Sequence, residues 1–361
     1  MNKERLIIKN FGPIADVDIE LRRFNFIIGN QATGKSTICK TLAIVRSIWT
    51  FLMPEDMVFR EFEKYELSDY FGENSKIEYV CKDFSFTLNL SEKKGKRLIR
   101  QTQDKHLQEV QKRFNQPLLP SIEYDALVFE TEKRGYQSKY IPAERILISL
   151  ILSYSYNEIK FPHYIKVFWE EFLEATKVRQ PVDYDCLKVT YLNEDGGHFI
   201  THKGITLPLS KSASGFKSTV PLLLVVDNDK NRVYTTLMYL IEEPEISLFP
   251  ETQYNLVKHL VEKSNEKGFS LVVSTHSPYI LSAVNNLIYA HTVGAKESKI
   301  IDEKYWIDPK DVTAIMLTAD GKKEDLMDYE LKQLKAEKID EVSNKINDEY
   351  DQLSDLFWSK K

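Results

Sequence analysis

The chain is poor in cysteine and has no cysteine or histidine cluster at metal-ligand spacing. Its three cysteines, Cys39, Cys81 and Cys186, are scattered. That spacing excludes a zinc-ribbon or disulfide scaffold and leaves them as small buried hydrophobes of a reducing compartment. Long hydrophobic runs are also missing. The longest, at 146–152 and 220–226, fall far short of the ~20 residues that span a bilayer. Met1-Asn2-Lys3-Glu4-Arg5 leads straight into a strand-like stretch with no leader pattern. The expectation is a cytoplasmic protein without a membrane partner. No excess of basic charge is present: the formal net charge is -5. A surface coated for nucleic acid is therefore excluded, although a local basic patch is not. Internal repeats, low-complexity linkers and sustained heptads are absent too, so no long coiled-coil arm is expected.

What is present is α/β character. Leu6-Ile7-Ile8 and 17–21 read as short strands around the turn Asn10-Phe11-Gly12-Pro13. Phe24-Asn25-Phe26-Ile27-Ile28 is a third strand, and 36–52 has helical periodicity without Gly or Pro. Between them lies Gly29-Asn30-Gln31-Ala32-Thr33-Gly34-Lys35-Ser36, followed by Thr37. Glycines at both ends of such a loop let successive N–H groups turn inward toward phosphate oxygens, and the helix that follows adds its positive end. Lys35 would reach the β and γ phosphates of ATP, and the Ser36 hydroxyl would ligate Mg²⁺. Strand before and helix after are the context this loop requires.

Further along, strand-like segments at 77–80 and 84–90 precede helical stretches at 143–156 and 164–177. A small meander follows at 187–209, and helix and strand alternate from Ser214 onward. The apolar run 237–241 ends abruptly in Glu242-Glu243-Pro244-Glu245. On a buried strand's end, Glu242 would hold the metal and Glu243 would activate water; a plain acidic turn is the other reading. Ser214 and Gly215 open the apolar helix at 220–226, either as an ordinary cap, with Ser214 at the N-cap, or as an anion site acting on a second subunit's ATP. Strand 270–273 ends in Ser274-Thr275-His276-Ser277-Pro278, where His276 is either a structural histidine or a γ-phosphate contact. The basic run Lys93, Lys94, Lys96, Arg97 and Arg100 fits a lysine-protected hairpin edge better than a DNA contact.

Taken together, these motifs resemble the ABC-type AAA-domain ATPases of the SMC/RecF-like group, related to the OLD (overcoming lysogenization defect) family and to Septu-type defence ATPases. Asn10-Phe11-Gly12-Pro13-Ile14 and Tyr140-Ile141-Pro142-Ala143-Glu144-Arg145 are similar to that group as well. The resemblance implies a P-loop NTPase with an ABC-type head: a mixed β-sheet flanked by helices, with an inserted α+β and helical subdomain. It implies Mg-dependent hydrolysis by Glu243 and His276, a homodimer or higher homo-oligomer with Ser214 and Gly215 acting in trans, and roles in DNA maintenance or anti-phage defence. A separate nuclease or toxin effector, and DNA, are the partners it suggests. The expected division is 1–55 and 205–300 as core lobes, 56–204 as the insert and 301–361 as a charged helical tail.

Several features depart from the pattern. Glu242 stands where an aspartate is usual, and Phe216-Lys217 where transporters carry Gly-Gln. The Q-loop has only Gln101, Gln103 and Gln137 as candidates, and Arg145 either faces phosphate or forms a salt bridge. No Toprim-type acidic set follows His276.

Overall fold

The computed structural model describes residues 4–91, 95–114, 136–152, 160–177, 181–228, 236–294, 300–335 and 347–354. In chain order the elements begin with β1 (Glu4–Phe11), β2 (Ile14–Leu21), β3 (Phe24–Gly29), α1 (Lys35–Val45), α2 (Ile48–Leu52) and α3 (Glu55–Lys64). Next come β4 (Phe71–Val80), β5 (Phe84–Ser91), β6 (Gly95–Thr102), α4 (Lys105–Phe114), β7 (Tyr136–Ile141), α5 (Ile146–Ile151) and α6 (His163–Ala175). The small strands β8 (Val182–Tyr184), β9 (Val189–Glu194), β10 (Gly197–His202) and β11 (Ile205–Pro208) lead into α7 (Ser214–Asp227). The chain then runs through β12 (Thr236–Glu242), α8 (Pro250–Lys267), β13 (Ser270–Thr275), α9 (Pro278–Val293), β14 (Val312–Leu317), β15 (Lys323–Asp325), β16 (Met327–Asp328) and β17 (Gln333–Leu334).

A six-stranded mixed sheet in the order β15-β14-β3-β13-β12-β7 forms the centre. Every pairing from β14 to β7 is parallel, and β15 closes one edge antiparallel. Parallel strands covered on both faces should be apolar nearly throughout. Residues Leu271 to Thr275 of β13 and Met238 to Glu242 of β12 are all buried. The antiparallel sheet β2-β1-β4-β5-β6 instead alternates, with Leu6 and Ile8 buried and the exposed face carrying the Arg5–Asp18 and Lys9–Asp16 ion pairs. No helix among the described residues is long and apolar enough to cross a membrane.

Four expectations need correction. The 55/56 boundary does not separate structural units: β1 pairs with β4 from Arg5↔Val80 to Phe11↔Phe71, so one sheet straddles it. Within the expected insert, β7 belongs to the central sheet, paired with β12 along its length. The charged helical tail expected at 301–361 instead holds short 3₁₀ turns at 303–305 and 309–311 and four short strands between Val312 and Leu334, and it is α-helical only at 347–354 among the described residues. Its buried segment Val312–Leu317 is short and apolar, so length distinguishes strand from helix better than composition does. The helix expected across 36–52 also breaks, at Arg46 and Ser47. There Ser47 turns extended and its hydroxyl accepts from the Trp49 amide at 3.2 Å, capping α2.

Arg46 is anchored at that break. Its guanidinium is buried and grips both carboxylate oxygens of Glu4, at 2.8 and 3.1 Å. It also donates to the carbonyls of Gln137 and Thr236, at the starts of β7 and β12. The Tyr79 hydroxyl completes the Glu4 shell at 2.7 Å. One side chain thereby ties the antiparallel sheet to the central one. Arg46→Ala would strand Glu4 in the interior and is expected to lose about 3–5 kcal/mol of stability, read from urea unfolding. Arg5→Ala, at the exposed pair, should leave the unfolding midpoint in place.

Candidate nucleotide site

Parallel pairing brings the carboxyl ends of β3, β13 and β12 to one edge of the sheet. The registers Ile28↔Thr275 and Ser274↔Glu242 put the glycine loop, the histidine strand and the acidic strand side by side. Gly29 ends β3 where an added Cβ would lie 2.8 Å from the Leu317 carbonyl and 2.7 Å from Thr33 Oγ1. Gly34, at φ 101°, starts α1 from the left-handed region. Ala32 takes φ 63° in between. Thr33 is buried, its hydroxyl donating to the Asn30 carbonyl at 2.9 Å, and Thr37 is buried in the first turn of α1. Asn30, Gln31, Ala32 and Ser36 are exposed along the loop.

The side chains that follow these strand ends meet. The Lys35 ammonium donates to the carbonyls of Gly29 at 2.7 Å and Asn30 at 2.9 Å, and lies 3.4 Å from His276 Nδ1. Since the ammonium has only donors, Nδ1 is the acceptor, and Nε2–H then donates to Glu243 Oε1 at 3.1 Å. Ser36 Oγ donates to Glu242 Oε2 at 3.1 Å. Lys35, Ser36, Glu242, Glu243 and His276 thus form one cluster from three separate stretches of chain.

Two carboxylates one residue apart sit in different surroundings. Glu242 is 3% exposed, whereas the Glu243 side chain is half-buried and reaches solvent. Burial pushes the Glu242 carboxyl up from 4.5 to about 7, moderated by the Tyr140 hydroxyl, Lys40 and Ser36. Lys35 is held below its ordinary value, because burial outweighs the attraction of Glu243, Glu245 and Glu242. Glu243 takes φ 42°, outside the ordinary range for a side-chain-bearing residue, and its amide donates to the Ser274 carbonyl at 2.8 Å.

Two supports of this cluster have roles that the sequence did not indicate. Glu245 Oε1 accepts from the Thr275 hydroxyl at 2.6 Å and from the His276 amide at 2.8 Å, fixing the histidine's backbone. Arg145 is fully buried and aims at four backbone carbonyls: Pro142 at 3.1 Å, Ser218 at 2.9 Å, Glu242 at 2.6 Å and Glu243 at 2.7 Å. It therefore meets neither alternative expected for it, since its hydrogen bonds go to backbone carbonyls. Burial lowers it to about 10. The only signal in the sequence was its nearness to the Tyr140–Pro142 segment at the end of β7.

Other expected residues lie elsewhere. Ser214 is the first residue of α7, not its cap; Ala213 holds that position with no side-chain bond. Ser214 is exposed, and no hydrogen bond among the described residues joins it or Gly215 to the Lys35 cluster. Gly215 packs beneath the turn after the carboxylates, where a Cβ would lie 2.8 Å from the Ser247 carbonyl. Gln101 and Gln103 are exposed at the end of β6, and Gln137 lies in β7 with its side-chain oxygen buried and unpartnered. Lys93 and Lys94 lie outside the described residues. β6 is the edge strand of its sheet, with Arg97 exposed and Arg100 half-buried.

Fold and site together define a P-loop nucleotide-binding protein with a mixed sheet flanked by helices. The family profile of the AAA ATPase domain matches residues 67–281, more than half of the sequence, and the chain belongs to that family. The match contains Glu242, Glu243 and His276 and begins after the glycine loop. An OLD nuclease from Thermus scotoductus is 21% identical over 336 residues, 78% of this chain and 60% of that protein. The chain thus spans about 60% of the length of this curated relative. Among solved structures, the SMC head domain from Thermotoga maritima is 13% identical with a TM-score of 0.47, covering 91% of this chain and 100% of that one. An SmcHead bound to the C-winged helix domain of ScpA is 10% identical with a TM-score of 0.48, covering 89% and 95%.

The Glu242 environment carries a pH dependence. Between pH 4.5 and 7 its unfolded carboxyl is ionised while the folded one keeps its proton. Folding takes up a proton there, so stability falls as pH rises. Denaturant unfolding without nucleotide or metal should show the wild type losing about 3 kcal/mol relative to Glu242→Gln from pH 4.5 to 8. A difference independent of pH would place the carboxyl at its ordinary value.

Proposed function

We propose that the chain is a Mg-dependent ATPase that closes two copies around ATP, and that it works in DNA maintenance or anti-phage defence. The observation carrying this reading is the Lys35–His276–Glu243 chain of contacts beside the Ser36–Glu242 pair. Lys35 and the loop amides of Asn30 to Thr37 would bind the triphosphate. Glu243, with Oε1 held by His276, keeps Oε2 to accept the proton of the attacking water. His276 orients that carboxylate and lies where it can face the γ-phosphate.

The residues fit a bound Mg²⁺. Glu242 Oε1 is buried with no hydrogen-bond partner, and Oε2 already shares the Ser36 hydroxyl. One carboxylate, one hydroxyl and substrate phosphates are the donor set this ion usually takes. When bound, the ion supplies charge neutralisation at the β and γ phosphates. Ser214, exposed at the start of α7, and the half-buried Gly215 beside it would meet the nucleotide of the second copy.

Glu243→Gln is expected to lower turnover at least 100-fold, to retain ATP binding and to accumulate an ATP-dependent dimer in size-exclusion chromatography with light scattering. Lys35→Ala should abolish binding. Undiminished turnover in Glu243→Gln would falsify the assignment.

A second reading is an ATP-controlled switch with little turnover that holds a separate nuclease or toxin effector. Glu242 in place of the usual aspartate, and Lys217 in the signature-like turn, favour it. Phosphate release by the pure protein, with and without DNA, separates the two. Rapid release excludes the switch, and stimulation by DNA supports DNA as a partner.

A further inference from the structure

Helix α7 contains Pro221. A proline has no N–H, so the Lys217 carbonyl, four residues back, has no helical donor, and the ring crowds the turn in front of it. A buried carbonyl left in that state costs free energy unless another donor reaches it. Two neighbours do. Ser149, fully buried in α5, donates to the Lys217 carbonyl at 2.7 Å, and Arg145, just before α5, donates to the Ser218 carbonyl at 2.9 Å. The same guanidinium grips the carbonyls of Glu242 and Glu243 at 2.6 and 2.7 Å. From the other side, the Ser218 hydroxyl donates to the Ile246 carbonyl at 3.0 Å. The proline-opened turn of α7 is thus bolted to the loop that carries Glu243, and Glu243 holds a positive φ of 42° at that joint.

We propose that Arg145 is a positioning residue: it holds the Glu243 backbone in its working conformation and makes that conformation depend on the placement of α7. The inference rests on the reading of Glu243 as the residue that activates water. Its consequence is regulatory. The exposed start of α7, at Ser214, is a rigid extension of this joint, so a contact made there by a second copy displaces the Ser218 carbonyl and, through one guanidinium, the catalytic carboxylate. Arg145 itself touches no substrate, and its effect should fall on turnover while nucleotide affinity stays.

The test uses the full chain. Arg145→Lys keeps the charge, but a single ammonium cannot span four carbonyls. Pro221→Ala returns an N–H to the Lys217 carbonyl, where it competes with Ser149 and tightens the turn beside the Ser218 carbonyl that Arg145 grips. Expected for Arg145→Lys is a loss in kcat of at least 30-fold, with the Kd for a fluorescent ATP analogue changed less than threefold. Pro221→Ala should lose at least fivefold in kcat with the same unchanged Kd. In a Glu243→Gln background, adding Arg145→Lys should reduce the residual rate no further, because both changes act through one group. A purely structural role would instead lower the thermal midpoint and weaken ATP binding in proportion, and would add to the Glu243→Gln loss. If Arg145→Lys does not fold, Pro221→Ala and Ser149→Ala carry the same comparison. Wild-type kcat in both foldable variants overturns the proposal when Glu243→Gln is inactive; an active Glu243→Gln overturns the assignment of Glu243 instead.

Discussion

Parallel pairing of β3, β13 and β12 is the constraint on which the site depends. In a parallel ladder all strands end at the same edge, so residues just beyond each strand share one crevice however far apart they lie in the chain. Gly29, Thr275 and Glu242 close their strands at that edge, and Lys35, His276 and Glu243 follow each closure. A register slip of one residue in β12 would turn Glu242 to the opposite face and separate it from Ser36. Continuous burial of β12 and β13 on both faces keeps the register from slipping.

The fold buries charge at both ends of this sheet, and it neutralises each charge differently. Arg46 is matched by the Glu4 carboxylate, which receives Tyr79 as well. Arg145 is matched by carbonyl dipoles from three segments, a geometry suited to a planar fork with five donors. Glu242 is relieved by a shift in its own protonation, the expected response of a carboxyl removed from water. Lys35 is carried by loop carbonyls. The first two pin the scaffold; the last two lie together in the cluster at the carboxyl edge.

Local conformation follows the same division. Three of the ten positive-φ residues other than glycine among the described residues lie at this edge: Ala32 in the glycine loop, Glu243 beyond β12, and Ser247 in the turn over Gly215. Such conformations persist when their surroundings over-determine them. Around Glu243 the surroundings are the Ser274 carbonyl, the Arg145 guanidinium and the histidine ring.

The glycine loop, the strand that feeds it, the acidic strand end and the histidine strand were legible in the sequence, because each depends on local periodicity and on residues a few positions apart. The antiparallel meander and the hairpin edge at β6 were readable for the same reason. Other features were hidden. The membership of β7 and β14 in the central sheet depends on pairings with residues about a hundred or more positions away, which no local pattern encodes. The break at Arg46, the cap at Ala213 and the role of Arg145 were equally invisible, since a buried arginine announces its partners only when the carbonyls it meets have been brought together. The sequence by itself determined which chemical groups the protein carries and which local turns present them. Only the tertiary structure decided which of those groups touch, because contact between them is set by sheet order and by hydrogen bonds to backbone atoms that every residue possesses alike.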